Sequence, residues 1–138
     1  MDETRAQTLI DESEIVDVMS RYAAGVDRRD PVVYRSCFTD ELEVEMLGQD
    51  FGRLPADEWV SRAMAAVATH QATQHIITNH DVEIDGDEAT CTAYVQAQHW
   101  SPDASLLLGG TYTNRLVRGE DGWRICRLVL TQSWSEAR

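Results

Sequence analysis

The longest stretch of alternating apolar and polar residues runs from Thr73 to Trp100 and contains one strong turn signal. Alternation of this kind is typical of β-strands that bury one face. Asp85-Gly86-Asp87 divides the stretch near its middle, and Asp-Gly pairs favour tight hairpin turns. The stretch therefore predicts two antiparallel strands joined by a short turn, with the rest of the chain organised around them.

Three further runs alternate in the same way. They predict strands at Glu41–Leu47, Leu106–Val117 and Trp123–Trp134. Gly48–Gly52 is predicted to be a turn or short loop, and Gly119–Gly122 turns the chain between the last two strands. Gly109-Gly110 interrupts its run, which predicts a bulge or sharp bend. The polar positions of the first of these strands are predicted to form a solvated face: Glu41, Glu43 and Glu45.

Helical spacing is found in the first half of the chain. The first apolar helix face is formed by Ile15, Met19, Tyr22, Ala23 and Val26. Asp11, with Glu14 three residues later, predicts a capping box at the start of this helix and leaves residues 1–10 as a partly ordered lead-in. Asp30-Pro31 predicts the start of a second, short helix over Pro31–Phe38.

The predicted elements follow one another in a segregated order. Two helices and a strand come first, then a third helix over Pro55–Thr69, and then four strands. This order favours the α+β class, with a curved, mixed but mostly antiparallel sheet packed against three helices from the N-terminal half. A length of 138 residues predicts a single domain over residues 1–138.

The charge balance excludes several classes of partner. The chain has 24 acidic residues against 12 arginines and lysine is absent, which gives a net charge of −12. Nucleic acids and anionic membrane surfaces attract basic proteins, so neither is an expected partner. The absence of lysine also excludes a lysine Schiff base.

The cysteines and the motif inventory narrow the chemistry further. Cys37, Cys91 and Cys126 form no CxxC pair, which is typical of free thiols in a reducing compartment. The acidic N-terminal segment differs from a signal peptide, and no apolar run reaches the length of a membrane span. We therefore expect a cytoplasmic protein. Neither metal-binding spacings nor a glycine-rich phosphate loop occurs, so we expect no metal and no cofactor.

Two histidines lie at matching ends of the predicted hairpin. His75 is near the start of its first strand and His99 near the end of its second, so antiparallel pairing should bring the imidazoles together. The residues that share a face with His99 are small: Cys91, Ala93, Val95 and Ala97. This face predicts the wall of a pocket, with Asp27 at the edge of the buried face of the first helix. His70 and His80 are predicted to be solvated.

Three segments carry a family resemblance: RYAAGVDRRDP, TQHIITNHDVEIDGDEA and GTYTNRLVRGEDGWRI. They are similar to the SnoaL-like and scytalone dehydratase-like branch of the nuclear transport factor 2-like superfamily, from about Asp11 to Trp134. The resemblance implies a cone-shaped fold, in which three helices close a curved sheet around a pocket at its wide end. The superfamily hosts dehydratases, isomerases, cyclases and non-catalytic binders, so fold alone does not give function.

The resemblance also implies roles for individual residues. Asp27 and His75 match the catalytic pair of scytalone dehydratase and of bacterial bile acid dehydratases. His99 and Asn114 resemble the second histidine and the asparagine of scytalone dehydratase. Tyr22 resembles the tyrosine of the bile acid dehydratases. The predicted catalytic residues are therefore His75, Asp27 and His99, and the predicted substrate-binding residues are Tyr22, Asn114, Trp100 and Tyr112.

Two departures argue against scytalone itself as the substrate. Scytalone dehydratase has a tyrosine directly before its aspartate, where this chain has Val26. Its other carbonyl-binding tyrosine falls in the Glu43–Glu45 region, which has none. The resemblance still implies a cofactor-free lyase or isomerase, of the dehydratase or cyclase type, acting on a polyketide, steroid or terpenoid-like molecule. A histidine held in one tautomer by a carboxylate is suited to removing a proton beside a carbonyl.

A second hypothesis stays open at the level of sequence. The chain is then a non-catalytic small-molecule binder, or an oligomer-forming subunit that resembles the β chains of ring-hydroxylating dioxygenases. Under either hypothesis we expect a homodimer or higher homo-oligomer built through the open face of the sheet. The residues expected on that face are Trp123, Ile125, Val129 and Trp134.

Overall fold

Three helices and six strands make up residues 2–138, which are the residues that the computed structural model describes. The helices are α1 (Glu3–Asp27), α2 (Pro31–Arg35) and α3 (Ala56–Val67). The strands are β1 (Phe38–Met46), β2 (Gln49–Pro55), β3 (Ala72–Asp85), β4 (Glu88–Ser101), β5 (Ala104–Gly119) and β6 (Gly122–Ala137). None of these helices is long and apolar enough to cross a membrane.

The strands form one sheet in the order β2-β1-β6-β5-β4-β3. All neighbouring pairs are antiparallel except β1 and β6, which run parallel. Register shifts in the β1–β2, β3–β4 and β5–β6 pairs mark bulges, and bulges bend a sheet. The helices cover one face, which we call the inner face; the opposite face is the outer face. The α+β class and the mostly antiparallel curved sheet are confirmed.

The start of α1 differs from the sequence prediction. The helix begins at Glu3, and the Asp2 carboxylate caps it by accepting a hydrogen bond from the Arg5 backbone N–H. The predicted start at Asp11 is wrong, because Asp11 is a buried residue inside the helix. Its carboxylate accepts hydrogen bonds from Arg118 and Trp123. Asp11 therefore serves a tertiary contact with the sheet and does not cap the helix.

The stretch predicted as a loop at Gly48–Gly52 contains part of a strand. Leu47 and Gly48 both have positive φ angles, of 54° and 83°, and they form the tight turn between β1 and β2. β2 lacks clear alternation in its sequence, because five of its seven residues are exposed at the edge of the sheet. The other boundaries move slightly: α2 ends at Arg35 and α3 spans Ala56–Val67.

The inner face carries the core and corrects the predicted oligomer face. Trp123 and Ile125 are buried against the helices, with 2% and 0% exposure, so their assignment to the open face is wrong. Val129 is half-buried, and Trp134 is 43% exposed on the outer face. The alternation along β6 sorts its residues onto two faces of the sheet. The sequence alone does not show which of these faces the helices cover.

The predicted irregularity at Gly109-Gly110 is confirmed, because the register between β5 and β6 shifts between these two residues. The indole of Trp134 lies directly over Gly109, where any Cβ would collide with the ring. A glycine is therefore required for the indole to lie flat on the outer face.

Candidate functional site

A cavity of about 280 Å³ lies between the inner face of the sheet and the helices. It is mostly apolar and aromatic, and its lining includes both His75 and His99. Aromatic side chains from α1, α2, β2, α3 and β5 form much of its wall: Tyr22, Tyr34, Phe51, Trp59 and Tyr112. The small residue Ala97 of β4 lines it as well, and Cys91, Ala93 and Val95 are buried on the same strand face. An apolar cavity with a few convergent polar groups is the usual form of a small-molecule site.

Asp27 and His75 form a pair at one side of this cavity. The His75 Nδ1 atom lies 2.7 Å from Oδ1 of Asp27. The His75 backbone N–H donates to Oδ2 of Asp27 at 2.8 Å, and the Thr73 hydroxyl donates to Oδ1 at 3.0 Å. With the carboxylate accepting the Nδ1–H, Nε2 of the neutral imidazole is left as an acceptor.

The end of α1 places this carboxylate. Asp27 is the last residue of the helix, where the helix dipole disfavours an anion, so its charge depends on other partners. Burial raises the pKa of Asp27, but hydrogen bonds from His75 and Thr73 outweigh burial and the net effect lowers that pKa. Arg29 follows with a positive φ of 56° and donates to the His70 carbonyl at 3.0 Å, which ties the helix end to the segment before β3.

His99 lies beside this pair. It is opposite Thr73 in the β3–β4 ladder, and its ring centroid is 5.8 Å from that of His75 in an edge-to-face arrangement. Its Nδ1 atom is buried and has no hydrogen-bond partner among residues 2–138. Burial, and then the neighbouring His75 and His70, lower the pKa of His99. His99 therefore has a lowered pKa and an unsatisfied nitrogen at the cavity wall.

The other two histidines are less solvated than predicted. The His70 ring packs 5.0 Å from that of His99 and is half-buried, because the segment after α3 turns over the hairpin end. His80 lies in the β3 bulge with its Nε2 atom buried and unpaired, and burial lowers its pKa. His80 is absent from the cavity lining.

Tyr22 and Tyr112 meet inside the cavity wall. The Tyr112 hydroxyl donates to the Tyr22 oxygen at 3.2 Å, and the Trp59 indole N–H donates to the Tyr34 oxygen at 3.1 Å. The Tyr22 ring packs 5.1 Å from Tyr34 and 5.3 Å from Tyr112. The sequence patterns did not identify Tyr34 or Trp59 as residues of the cavity wall. Their aromatic type on the helices that close the sheet was the available signal.

Asn114 and Trp100 lie outside the lining of the cavity. Asn114 is fully buried, where its Oδ1 accepts from the Val129 N–H at 3.1 Å and its amide nitrogen contacts the Met19 sulfur at 3.4 Å. These contacts fix the core between α1, β5 and β6. Trp100 is 43% exposed, because it follows His99 directly and so faces the outer side.

Charged and metal-binding groups are sparse around the site. Within residues 2–138, no group of three or more histidine, cysteine, aspartate or glutamate side chains is arranged to hold a metal ion. The buried thiols are far from activated, since burial raises the pKa of both Cys37 and Cys91 to about 11. The groups lining this cavity that are suited to chemistry are therefore imidazoles and phenols, and the Asp27 carboxylate contacts His75 from outside the lining.

Solved structures share this architecture. The Kfla4162 protein from Kribbella flavida is 33% identical, with a TM-score of 0.89 over 94% of this chain and 95% of that chain. A protein from Novosphingobium aromaticivorans, provisionally named a scytalone dehydratase, is 20% identical with a TM-score of 0.85, over 96% and 90%. The hexachlorocyclohexane dehydrochlorinase LinA-type3 from Novosphingobium barchaimii LL02 is 20% identical with a TM-score of 0.84, over 97% and 94%. At such identities the last two show a common fold alone.

The sequence comparisons agree with the structural ones. An uncharacterised protein from Mycobacterium tuberculosis is 27% identical over 132 residues, which span 91% of this chain and 88% of that protein. The family model described as the SnoaL-like domain matches residues 7–129. The chain belongs to the SnoaL-like domain family.

Proposed function

We propose that the protein is a lyase or isomerase that removes a proton beside a carbonyl group and uses its own side chains for the chemistry. The observation that carries the proposal is the 2.7 Å contact between His75 Nδ1 and Asp27 at the wall of an apolar cavity. A carboxylate at Nδ1 fixes the tautomer in which Nε2 is the base, and it stabilises the imidazolium that forms. A general base positioned in this way contributes roughly 10²–10⁴-fold to a rate.

For a β-hydroxy ketone the reaction balances as a loss of water. His75 Nε2 takes the proton from the carbon next to the carbonyl, and the C–H electron pair forms the enolate. The enolate then re-forms the carbonyl, the carbon–oxygen bond at the β position breaks, and the departing oxygen takes the proton from His75. The products are an unsaturated ketone and water, and the base is regenerated. Return of the proton to a different carbon would give an isomerase from the same first step.

The names of the fold neighbours are consistent with elimination chemistry. A dehydratase removes water and a dehydrochlorinase removes hydrogen chloride, and both names occur among the similar structures. The lining of the cavity supports a hydrophobic, oxygenated substrate such as a polyketide, steroid or terpenoid-like molecule. The enolate oxygen needs a hydrogen-bond donor. Tyr22 and His99 line the cavity and are candidates for that role, whereas the Asn114 side chain is used in the core.

Deuterium exchange tests the first chemical step without knowledge of the natural leaving group. The protein is incubated in D₂O with a panel of cyclic ketones and β-hydroxy ketones, and deuterium in the recovered ketone is measured by mass spectrometry. We expect stereospecific exchange with at least one ketone, and loss of exchange in His75→Ala. The matched control is His80→Ala, which removes a histidine of the same strand from outside the cavity. Equal exchange in both variants would refute the proposed base.

We also propose a homo-oligomer. Its contact surface is the outer face of the sheet and, apart from Trp134, its residues differ from those predicted from the sequence. The exposed large apolar side chains of the outer face are Ile76, Tyr94, Trp100 and Trp134. Apolar groups on an uncovered sheet face favour association with a partner. We expect light scattering to give a dimer or higher assembly that Trp134→Glu weakens. A wild-type monomer at micromolar concentration would contradict this.

A further inference from the structure

The cavity opens to solvent at a mouth between α3 and the β1–β2 turn. The exposed residues of its lining, which form this mouth, are Leu47, Arg62 and Ala66. The rest of the lining is buried or half-buried, and it is apolar or aromatic except for His75 and His99. Among residues 2–138, Arg62 is therefore the only permanently charged residue that lines the cavity.

The charge of the lining is opposite in sign to that of the chain. The chain has twice as many acidic residues as arginines and a net charge of −12. Within the described part of the chain, residues 2–138, no aspartate or glutamate lines the cavity, whereas Arg62 does. A fixed charge in a pocket with apolar walls attracts ligands of the opposite sign. The mouth thus favours an anion on a protein whose net charge repels anions.

Contacts with β2 and α3 hold the Arg62 guanidinium at the mouth. Its Cζ atom lies 5.6 Å from the centroid of the Phe51 ring, and the Phe51 ring packs 5.4 Å from that of Trp59. Both aromatic residues line the cavity, so the guanidinium lies against the cavity wall. Its Nη2 atom donates to Glu58, one helical turn earlier, at 2.9 Å. Among residues 2–138 this is the only hydrogen bond of the guanidinium, which therefore keeps further N–H donors for a ligand.

We propose that the substrate carries a carboxylate, which binds Arg62 at the mouth while the apolar part of the substrate fills the cavity. The planar fork of a guanidinium matches the two oxygens of a carboxylate. The inference rests on the proposed function and narrows its substrate class to hydrophobic carboxylic acids that also contain a ketone. Arg62 is a substrate-binding residue in this proposal and takes no part in proton transfer.

The same charges determine which end of the substrate faces the base. The His75 side chain is 10% exposed and that of Arg62 is 53% exposed, so His75 lies deeper in the cavity. The Asp27 carboxylate contacts His75 at 2.7 Å, and its negative charge disfavours a second carboxylate there. At the mouth a carboxylate keeps part of its hydration and avoids most of the cost of burying a charge. The ketone end of the substrate is therefore directed toward His75.

Binding of 1-naphthaleneacetate and 1-naphthaleneacetamide tests the site without any turnover. The two compounds have the same apolar ring and nearly the same shape, but only the acid is anionic at neutral pH. Affinities for both are measured by calorimetry at low ionic strength. We expect wild-type protein to bind the acid about three- to tenfold more tightly than the amide, as a half-exposed bidentate ion pair would give. The preference should shrink as salt is added, because salt screens exposed charges.

Variants of the ion pair at the mouth should change the preference in opposite directions. Arg62→Gln should abolish the preference for the acid while it keeps binding of the amide. Arg62→Lys should retain part of the preference, because it keeps the charge but loses the planar fork. Glu58→Gln should raise the preference by about twofold, because the guanidinium loses a competing carboxylate.

A second ion pair provides matched controls for net charge. Arg115 and Glu88 lie 3.8 Å apart on the outer face, and their side chains are 58% and 64% exposed. Neither residue lines the cavity. Arg115→Gln and Glu88→Gln change the net charge as the two glutamine variants at the mouth do, and they should keep the wild-type preference. Melting temperatures show that each variant is folded.

Two outcomes would overturn the inference: a wild-type protein with no preference for the acid, or a preference that survives in Arg62→Gln. A protein that shows the preference but exchanges no ketone proton would refute the proposed reaction and support the carboxylate site. Exchange without the preference would refute the carboxylate site and support the proposed reaction.

Discussion

Two aspartates on α1 accept the same number of hydrogen bonds but from different kinds of donor. Asp11 accepts three hydrogen bonds, from Gln7, Arg118 and Trp123. Asp27 also accepts three, from Thr73 and from the backbone and the ring of His75. In both cases hydrogen bonding outweighs burial and lowers the pKa of the carboxyl. Each aspartate joins α1 to the sheet.

The partners distinguish the two sites. Arg118 and the Trp123 indole are permanent donors, since neither loses its proton at accessible pH. The imidazole of His75 has a second nitrogen, and the side chain lines a cavity. A similar carboxylate arrangement therefore holds permanent donors at Asp11, whereas at Asp27 it holds an imidazole with a second nitrogen beside a cavity. Under the proposed function, this difference makes His75 the base and leaves Asp11 with a structural role.

The largest effect is expected where the titratable partner is removed. His75→Ala should lower ketone exchange by about 10²–10⁴-fold, because no other group can take the proton from the same position. The melting temperature should change little, since the Thr73 hydroxyl and the backbone N–H of residue 75 still satisfy Asp27. Exchange is measured by mass spectrometry, with His80→Ala as control. Full exchange in His75→Ala would remove the distinction between the two aspartates.

Asp27→Asn should cause most of the same loss. The amide keeps the size of the side chain but disfavours the tautomer in which Nε2 is the base, and it leaves the imidazolium without a counter-charge. Residues that act as one unit give non-additive losses, so the double variant should be scarcely slower than either single variant. Single-turnover rates of the three proteins provide the measurement. Additive losses would show that Asp27 and His75 act separately.

Asp11→Ala should affect stability and leave the activity of folded molecules unchanged. The buried Trp123 N–H would lose its acceptor, and an unsatisfied buried donor costs about 1–3 kcal/mol of the free energy of unfolding. Denaturant unfolding measures the loss, and exchange per folded molecule is measured alongside. Asp17→Ala on the same helix is the control, because its carboxylate is 70% exposed and should change stability by no more than about 0.5 kcal/mol. A catalytic defect in folded Asp11→Ala would contradict the structural role.

The two aspartates also show which features a sequence can predict. The Asp27–His75 pair was predictable because a helix-edge acid and a strand histidine match a known arrangement. The role of Asp11 was not, because two of its donors, Arg118 at the end of β5 and Trp123 in β6, lie over 100 residues along the chain. The strand runs predicted the sheet, but β2 was missed since an exposed edge strand has little need of alternation. Trp100 was wrongly predicted to bind substrate. Neighbouring residues of a strand point to opposite faces, so with His99 on the inner face Trp100 lies on the outer face.

The smallest expected effect is a difference in acid sensitivity, and it compares the two aspartates directly. Both carboxyls have pKa values lowered from an ordinary 3.8. Near and below about 3.8 the unfolded chain therefore binds more protons than the folded one, so stability falls as the pH falls. The contribution of each aspartate is fully present above 3.8 and is lost as the pH passes through its lowered folded value.

Asp11→Ala and Asp27→Asn should thus each show a shallower loss of unfolding free energy than wild type when the pH is lowered through this range. Asp17→Ala should keep the wild-type slope, because its exposed carboxylate has only a 3.5 Å contact with Arg21. Urea unfolding at a series of acidic pH values gives the slopes. If hydrogen bonding holds both carboxylates as the structure indicates, both variants will have a shallower slope than wild type, although only Asp27→Asn affects ketone exchange. A wild-type slope in Asp27→Asn would mean that His75 and Thr73 do not stabilise its charged form.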